Sequence, residues 1–564
     1  MSKTVIIIGG GVAGMSAAHE LVERGFKVKV YERQPEYVGG KARSVNVPDS
    51  ATDGRKPLPG EHGFRFFPGF YKHITDTMKR IPYAGNRKGV FGNLVATQRV
   101  MMARFGKPPL INIVNFPRSL KDLKVALRAI THSDTGLTEK DAAFFAEKLW
   151  ELMTSCYERR NSDYERIGWW QFMDADNQSE AFKQYFVGGI TRTLVAAKPK
   201  EVSTKTGGDI LIQLLLLMGN PEASSDRVLD GPTNDAWLYP WLTYLTQKGV
   251  EYHHHHTVKK INTKNGQIDS VDFEHNGQPV NVKGDYYLSA VPVEVMSTLL
   301  TDDLVQLDPT LGFIKELAPD TSWMTGIQYY LNEDVQIVRG HAMYTDSPWA
   351  LTSISQIQFW KDFDVSKYGN GKVKGILSVD VSDWYSLGLN GKAAKDCTKE
   401  EIKDEVWNQL KKSLEIDGKC LLRDDMLVDW YLDRDIVFEK PFKTINEEPL
   451  LVNKVNTWAL RPEAYTGISN FLLASDYVRT YTDLATMEGA NEAARRAVNA
   501  IMQKEGMRGH LCKIWQLHEL RMLSVYRWYD RRRLKKGLPW KKEVPLIIRI
   551  LHWFNHYFHK IIGA

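Results

Sequence analysis

Six residues near the N-terminus, Gly9-Gly10-Gly11-Val12-Ala13-Gly14, constrain the fold more than any other feature of this sequence. They follow residues 5–8, an apolar and β-branched run that is typical of a parallel strand buried on both faces. Glycines at 9, 11 and 14 permit a tight turn, close approach of the backbone to a pyrophosphate and close helix packing. The pattern therefore predicts a strand, a turn and a helix whose N-terminus binds a dinucleotide.

The residues after this turn complete the predicted unit. Apolar side chains at 15, 18, 21 and 22 follow helical spacing, and Gly25 suits a helix end. A second strand is expected at residues 27–31, followed by Glu32 at the place where an acid binds the ribose hydroxyls. The cofactor-binding residues predicted from this unit are Gly9, Gly11, Val12, Ala13, Gly14, Glu32 and Arg33.

Two further glycine-containing segments follow, at residues 39–44 and 60–67. The first supplies backbone amides and two cations just beyond the ribose acid, and the second combines glycine with aromatic residues. We expect both to contact the cofactor. The residues predicted to do so are Gly40, Lys41, Ala42, Arg43, Gly63, Phe64 and Arg65.

These segments resemble the flavin amine oxidase and phytoene desaturase superfamily, which has a GGR-type motif followed by a glycine- and aromatic-containing motif. Lys41 stands where that motif usually has arginine, and lysine lacks the bidentate fork of a guanidinium. The resemblance implies that the dinucleotide is FAD.

Two distant segments extend the resemblance. Residues 470–476 read as an apolar strand that ends in an acid, and residues 486–490 open a helix; in the superfamily these contact the flavin's phosphate and ribityl region and place a helix N-terminus near the ring. Residues 249–261 and 284–292 resemble the middle FAD segment. The cofactor-binding residues implied by these segments are Val258, Ala290, Asp476, Met487, Glu488 and Ala490.

The expected fold class is α/β. We expect a Rossmann-like FAD-binding domain formed by residues 1–75, 236–300 and 455–505. A discontinuous, mixed α+β substrate or cap domain should comprise residues 76–235, which are largely helical by pattern, and 301–454. Residues 506–564 should form a helical basic tail.

The substrate is less constrained. Residues 231–241 are similar to a segment of phytoene-desaturase-like enzymes, which favours a desaturase or dehydrogenase of a small, hydrophobic, isoprenoid or carotenoid-like substrate. Such an enzyme transfers hydride to flavin N5 and returns the electrons to oxygen or a quinone. Candidates for the flavin face are Arg65, His62, Trp458 and Arg461, because they flank cofactor motifs. The alternatives are a flavin amine oxidase, a flavin-dependent polyene isomerase and a non-catalytic prenyl-binding carrier.

Four scattered cysteines show no metal-ligand spacing, so neither a metal site nor a disulfide framework is expected. The run His253–256 is expected at the surface, since neighbours on a strand point to opposite faces. Without a signal peptide or a long uncharged apolar stretch, the expected location is the cytoplasm, with a peripheral position on the inner face of the cell membrane.

The basic character of the chain is concentrated in its tail. Residues 508–564 hold 13 Lys and Arg and three Asp and Glu, a local charge of +10 in a chain whose net charge is +6. Beyond Pro545, apolar residues recur every three or four positions, which predicts an amphipathic helix on an anionic membrane. The alternative is a helix packed on the protein or in a dimer interface, so a homo-oligomer is left open. No nucleic-acid partner is expected, because no binding module accompanies the charge.

Overall fold

The computed structural model describes residues 2–111, 134–189, 198–218, 226–439 and 443–562. The chain divides into two compact units. The first comprises Met1–Asn112, Ser225–Val452 and Ala459–Trp515, and the second comprises Ile113–Ser224, Asn453–Trp458 and Gln516–Ala564. Residues 301–452 thus belong to the same unit as the N-terminal strand, whereas the sequence assigned them to a separate cap. The finer division into cofactor, cap and tail domains stays a prediction.

A five-stranded sheet with every neighbouring pair parallel organises the first unit. Its order is Glu251–His253, Lys27–Tyr31, Thr4–Ile8, Tyr286–Ser289 and Phe471–Leu473. Val5, Ile6 and Ile7 are fully buried, as a strand covered on both faces requires. The helices Val12–Val22 and Met487–Lys504 pack against each other beside this sheet. The predicted Rossmann-like core is confirmed.

The remaining helices of the first unit connect or cover its sheets. They are His73–Arg80, Tyr239–Gln247, Val293–Leu299, Asp302–Leu307, Phe313–Leu317 and Lys399–Leu414. An antiparallel three-stranded sheet contains His256–Lys264, Gln267–His275 and Gln278–Val282. Smaller strand groups pair Ser44–Asn46 with Pro59–Glu61, Phe66–Phe67 and Leu94–Ala96 with Arg227–Leu229, Thr321–Ser322 with Leu450–Leu451, Glu415–Ile416 with Lys419–Cys420, and Ile436–Glu439 with Lys443–Asn446.

A seven-stranded sheet forms the other large element of this unit. Its order is Leu427–Leu432, Thr325–Leu331, Gly375–Val381, Thr352–Ser355, Gly340–Tyr344, Arg99–Arg104 and Lys107–Ile111. One face, with Ile327, Val379 and Val381, shares an apolar core with Val406 and Leu410 of the helix Lys399–Leu414. Residues 94–111 lie in a stretch that the sequence pattern described as largely helical. They are strands because long-range pairing with Gly340–Tyr344 and Arg227–Leu229 overrides the local pattern.

The second unit is helical where it is described. Its helices are Glu139–Thr154, Tyr157–Ser162, Trp169–Phe172, Glu180–Phe182, Thr204–Met218, Ser524–Leu534 and Leu546–Ile562. A buried ion pair between Arg159 Nε and Asp530 Oδ1, at 2.9 Å, joins the C-terminal segment to the earlier helices. Much of the predicted tail is therefore an integral part of this unit. Within the described residues, no helix is both long and apolar enough to cross a membrane.

Candidate functional site

The turn between the first strand and the first helix has the geometry of a pyrophosphate site. Gly9 has a φ of 99°, and a Cβ on Gly14 would lie 2.0 Å from the Gly9 carbonyl oxygen, so both positions require glycine. A Cβ on Gly11 would lie 3.7 Å from Gly40 Cα, an ordinary van der Waals contact, so the backbone of residues 39–40 packs closely beside this turn. Gly11 is the N-cap, and no described side chain caps this helix that begins with Val12 and Ala13. Its free N–H groups suit an anion.

Glu32 fixes this turn from the end of the second strand. Its buried carboxylate accepts hydrogen bonds from the backbone N–H groups of Gly10, at 2.6 Å, and Gln34, at 2.8 Å. The Tyr252 hydroxyl donates to the Gly10 carbonyl at 2.9 Å. A carboxylate has about four acceptor positions, so Glu32 retains capacity for the ribose hydroxyls. Val258 is half-buried on the neighbouring strand His256–Lys264, opposite Phe273.

The segment of residues 39–43 lies directly beside the glycine turn. Gly39 and Gly40 have φ values of 94° and 56°, and Gly39 forms a bridge with Gly11. Ala42 is buried in the short 3-10 turn that follows. The glycine turn of residues 9–14 and the glycine-containing segment of residues 39–43 are therefore adjacent.

The cations of this region are paired with acids of the chain itself. Arg43 is buried and contacts Glu448, at 2.9 Å, and Asp435. These acids raise the pKa of Arg43 further above its usual value, although burial opposes them. Exposed Arg33 also contacts Glu448, at 2.9 Å, while Lys41 contacts Glu294 at 3.3 Å and the Pro449 carbonyl. The structure thus gives these cations internal partners, whereas the sequence assigned them to the cofactor.

The ends of the next two parallel strands bring Ala290 and Asp476 to the same edge of the sheet. The Ala290 N–H donates to the Ile8 carbonyl at 2.8 Å, and the Ala474 N–H donates to the Ser289 carbonyl at 2.8 Å. Asp476 follows, half-buried, with the Ser475 hydroxyl 3.1 Å from its carboxylate. Ligands of open α/β sheets bind at the carboxyl ends of the strands, so the placement fits the predicted role.

The helix Met487–Lys504 begins at Thr486, whose hydroxyl accepts from the Gly489 N–H at 3.2 Å. Met487 and Ala490 are half-buried against the core of the first unit. Glu488 is directed elsewhere: its buried carboxylate accepts from the N–H groups of residues 72, 73 and 74, at 2.8 to 2.9 Å. It caps a neighbouring helix.

Residues 59–65 cross the polar face of the seven-stranded sheet. Gly326 donates its N–H to the His62 carbonyl at 2.7 Å, and Tyr330 donates its hydroxyl to the Pro59 carbonyl at 2.7 Å. A Cβ on Gly326 would lie 2.7 Å from Gly63 Cα, so the glycine permits this crossing. Phe64 is buried and contacts His341 edge-on. The motif is thereby attached to the sheet rather than to solvent.

His62 Nδ1 lies 2.7 Å from the Asp433 carboxylate, with Asp435 3.7 Å away. These acids raise the pKa of His62 to about 9 against the opposing effect of burial, so the imidazole is protonated at neutral pH. His62, Asp435 and Glu448 have ligand atoms within 4.8 Å of one another. Protonated His62, Arg43 and Arg33 pair with Asp433, Asp435 and Glu448, so these six groups form an ion-pair network.

Arg65 donates to the Gly63 carbonyl and interacts electrostatically with two buried carboxyl groups, Glu61 and Asp380, that were not among the predicted site residues. Burial lowers its pKa, and Glu61 and Asp380 oppose that effect. Burial raises the pKa of each acid to about 7, although Arg65 acts in the opposite direction. Glu61 belonged to a recognised motif, but Asp380 is more than 300 residues away. Its only sequence signal is an acid between two valines, at 379 and 381.

Trp458 and Arg461 fall in different compact units. The Trp458 ring, in the second unit, lies under Lys205 Nζ at 3.9 Å. Arg461, in the first unit, is buried with Nη1 3.0 Å from Asp483 Oδ1 and 3.2 Å from the Asp476 carbonyl oxygen. Sequence adjacency had suggested a shared role at the flavin. The contacts of Arg461 link Asp476 and Asp483, and its role at the flavin stays a prediction.

The model for the flavin containing amine oxidoreductase family matches residues 12–502. A zeta-carotene desaturase of Synechocystis sp. is 23% identical over 533 residues, covering 89% of this chain and 97% of that protein. A carotenoid phi-ring synthase of Chlorobaculum tepidum is 22% identical over 283 residues, covering 49% of this chain and 40% of that protein.

Solved structures are similar in fold. Cyclohexylamine oxidase from Brevibacterium oxydans has a TM-score of 0.59 at 12% identity, covering 90% of this chain and all of that one. An oxidoreductase from Methanosarcina mazei has a TM-score of 0.55 at 14% identity, covering 89% and 100%. With the uncapped helix N-terminus after the glycine turn, these findings establish FAD as the cofactor.

Proposed function

Since this chain belongs to the flavin containing amine oxidoreductase family and is an FAD-dependent oxidoreductase, we propose that it desaturates a hydrophobic small molecule of the carotenoid-like class. The observation that carries the proposal is the similarity to zeta-carotene desaturases over nearly their whole length. The amine oxidases of known structure, at 12 to 13% identity, support the fold alone.

Different residues of the chain would bind different parts of the cofactor. The turn at Gly9, Gly11 and Gly14 would bind the pyrophosphate, and Glu32 would bind a ribose. Asp476, at the far strand end, would contact the flavin side of the molecule. When bound, FAD supplies the acceptor for the hydride that leaves the substrate. The electrons then pass to oxygen or a quinone.

Anaerobic flavin bleaching tests this function. The holoenzyme is mixed with polyenes, saturated isoprenoids, fatty acids and amines, and the loss of the oxidised flavin absorbance is followed. We expect bleaching by a polyene with formation of a product two hydrogens poorer. Bleaching by an amine alone would identify an amine oxidase. A rearranged double-bond geometry without net bleaching would identify an isomerase, and adding oxygen or a quinone to the reduced enzyme identifies the acceptor.

We also propose that the protein works at the inner face of the cell membrane. The support comes from the helix Leu546–Ile562, which packs Ile548 and two polar side chains against the protein and exposes large apolar side chains. His552 Nδ1 lies 3.0 Å from the Met522 carbonyl oxygen, and Asn555 Nδ2 donates to the same oxygen at 2.9 Å. His552 and Asn555 therefore point toward the rest of the second unit.

The opposite side of this helix exposes large apolar side chains, which we call the apolar face. Its members are Leu546, Ile547, Ile550, Leu551, Trp553, Phe554 and Tyr557, each at least 42% exposed. At 100° per residue they cover an arc of about 160°. Residues 531–549 add eight Lys and Arg and one acid. An exposed apolar face beside a basic segment matches an anionic lipid surface, where apolar burial and charge attraction add.

A further inference from the structure

Asp380 occupies an unusual place in the seven-stranded sheet. It lies in the strand Gly375–Val381, opposite Gly326 on one neighbour and Thr352 on the other. Because side chains alternate along a strand, Val379 and Val381 enter the apolar core and Asp380 points to the opposite face. That is the face crossed by residues 59–65. A carboxyl group is thereby placed beside the cofactor motif.

The contacts of Asp380 are few. A Cβ on Gly63 would lie 2.7 Å from Asp380 Oδ1, so this oxygen sits directly over the Gly63 backbone. Asp380 is 7% exposed, and Oδ1 has no hydrogen-bond partner among the described residues. A buried polar atom without a partner costs about 1 to 3 kcal/mol, and native structures retain such atoms at catalytic groups, ligand contacts, strained sites and bound waters.

The charged groups facing Asp380 come from one segment. Arg65 and His62 lower its pKa, and so does a hydrogen bond from the Phe64 N–H; burial outweighs them and raises the pKa to about 7. The acids of the surrounding elements are engaged elsewhere. Glu61 accepts both the N–H and the hydroxyl of Thr233, and Asp433 contacts His62.

The row of residues beside Asp380 has the composition of a surface for an apolar molecule. Strand register places Thr352, Met343 and Met102 next to one another across the adjoining strands, on the face of Asp380. Met343 and Met102 are only half-buried, whereas Ala342 and Met101, on the core face, are buried. Flexible thioether side chains adapt to irregular apolar partners. The row thus combines two methionines with one ionisable group.

We propose that Asp380 is the base that accepts the proton lost by the substrate during desaturation. This role rests on the proposed function. One carbon loses hydrogen with its electron pair to FAD, the neighbouring carbon loses a proton to the Asp380 carboxylate, and the remaining C–H electron pair becomes the new π bond. FAD is reduced and the substrate is oxidised by two electrons. Asp380 later returns the proton to water.

The test compares the wild-type holoenzyme with Asp380→Asn and, as the matched control, Glu61→Gln. The rate of anaerobic flavin bleaching by a polyene is measured from pH 5 to 9. Because only ionised Asp380 can accept a proton, the wild-type rate should rise with a midpoint near 7. Asp380→Asn should lose this rise and bleach on the order of 100-fold more slowly. Glu61→Gln should retain the rise.

Infrared spectroscopy supplies a readout independent of turnover. The carbonyl stretch of a protonated, buried carboxylic acid should titrate near pH 7 in the wild-type holoenzyme. The intensity of this band should be lower in Asp380→Asn. Absence of any such band, or an unchanged bleaching profile in Asp380→Asn, overturns the role of Asp380 alone. Failure of every polyene to bleach the wild type overturns the desaturase function, and this role with it.

Discussion

Glu488 Oε1 lies 2.8 Å from the backbone nitrogen of His73 and 2.7 Å from His73 Nδ1, although 415 residues separate the two. The Glu488 carboxylate thus caps the helix His73–Arg80 and links it to the first turn of Met487–Lys504. An acid at a helix N-terminus is stabilised by the free N–H groups and by the helix dipole. The family resemblance implied that Glu488 contacts the flavin. Its carboxylate instead accepts hydrogen bonds from the first backbone N–H groups of the helix His73–Arg80.

Glu488→Gln should therefore destabilise the protein by about 3 kcal/mol, since a buried charged acceptor of several hydrogen bonds is replaced by an amide. The flavin absorbance spectrum should stay unchanged. Urea unfolding followed by circular dichroism measures the first quantity. Glu400→Gln, an exposed acid in the first turn of another helix, is the control and should cost little. A shifted flavin spectrum with unchanged stability would instead place the carboxylate at the cofactor.

Two glycines of the N-terminal turn should respond differently to alanine. Gly14→Ala places a Cβ 2.0 Å from a carbonyl oxygen and should disrupt both folding and FAD binding. Gly11→Ala has room within the protein, so it should fold with a loss of about 1 kcal/mol for the poorer N-cap. FAD binding should nevertheless weaken, because the added methyl group contacts Gly40 and crowds the turn that is expected to bind the pyrophosphate.

The flavin-to-protein ratio after gel filtration, with circular dichroism, checks this contrast. Gly509→Ala is the control, since no heavy atom lies within 4 Å of its added Cβ. If folded Gly11→Ala retains its full FAD content, the pyrophosphate does not bind at this turn.

The protonated state of His62 should make stability depend on pH. Its pKa is about 9 when folded and 6.5 in an unfolded chain, so its stabilising contribution is complete below pH 6.5 and is lost as pH rises through 9. The shift corresponds to about 3 kcal/mol. The difference in unfolding free energy between wild type and His62→Gln, measured from pH 6 to 10, should shrink by that order. A constant difference would show that His62 is neutral.

Much of the cofactor unit could be predicted because its signals are local. The strand Lys27–Tyr31 has the predicted bounds, and Glu32 directly follows it. The partners of Arg43 and Glu488 could not be predicted, since 392 to 416 residues separate the members of each pair and no spacing connects them. Asp380 was missed for a related reason: only the register with Gly326 brings it over Gly63.

Arg461→Ala should lower turnover while FAD stays bound. The structural cause is the buried contact with Asp483, whose loss leaves an uncompensated charge and should cost about 3 to 5 kcal/mol. Asp483→Ala should reproduce both effects, and the double variant should be no worse than either. Steady-state kinetics and urea unfolding of the three variants test this. Turnover lost in Arg461→Ala but retained in Asp483→Ala would assign Arg461 a direct part in the reaction.

The apolar face of Leu546–Ile562 should bind vesicles that contain anionic lipid. Deletion from residue 508 would also remove Asp530, the buried partner of Arg159, so it would damage the second unit itself. Ile547→Glu with Phe554→Glu avoids this, because both side chains are about 60% exposed. Each loses apolar burial worth about 2 kcal/mol, which predicts vesicle binding weaker by on the order of 100-fold or more.

Co-sedimentation with anionic and neutral vesicles, at low and high salt, measures this binding. The wild type should prefer anionic vesicles, and salt should weaken the interaction because the basic segment contributes through screened charges. Lys395→Glu, at an exposed site outside this helix, controls for a change in net charge. The opposite outcome is a wild-type protein that does not bind vesicles and is a dimer, with a double variant that is a monomer. That result would show that the apolar face is a contact between two copies of the chain.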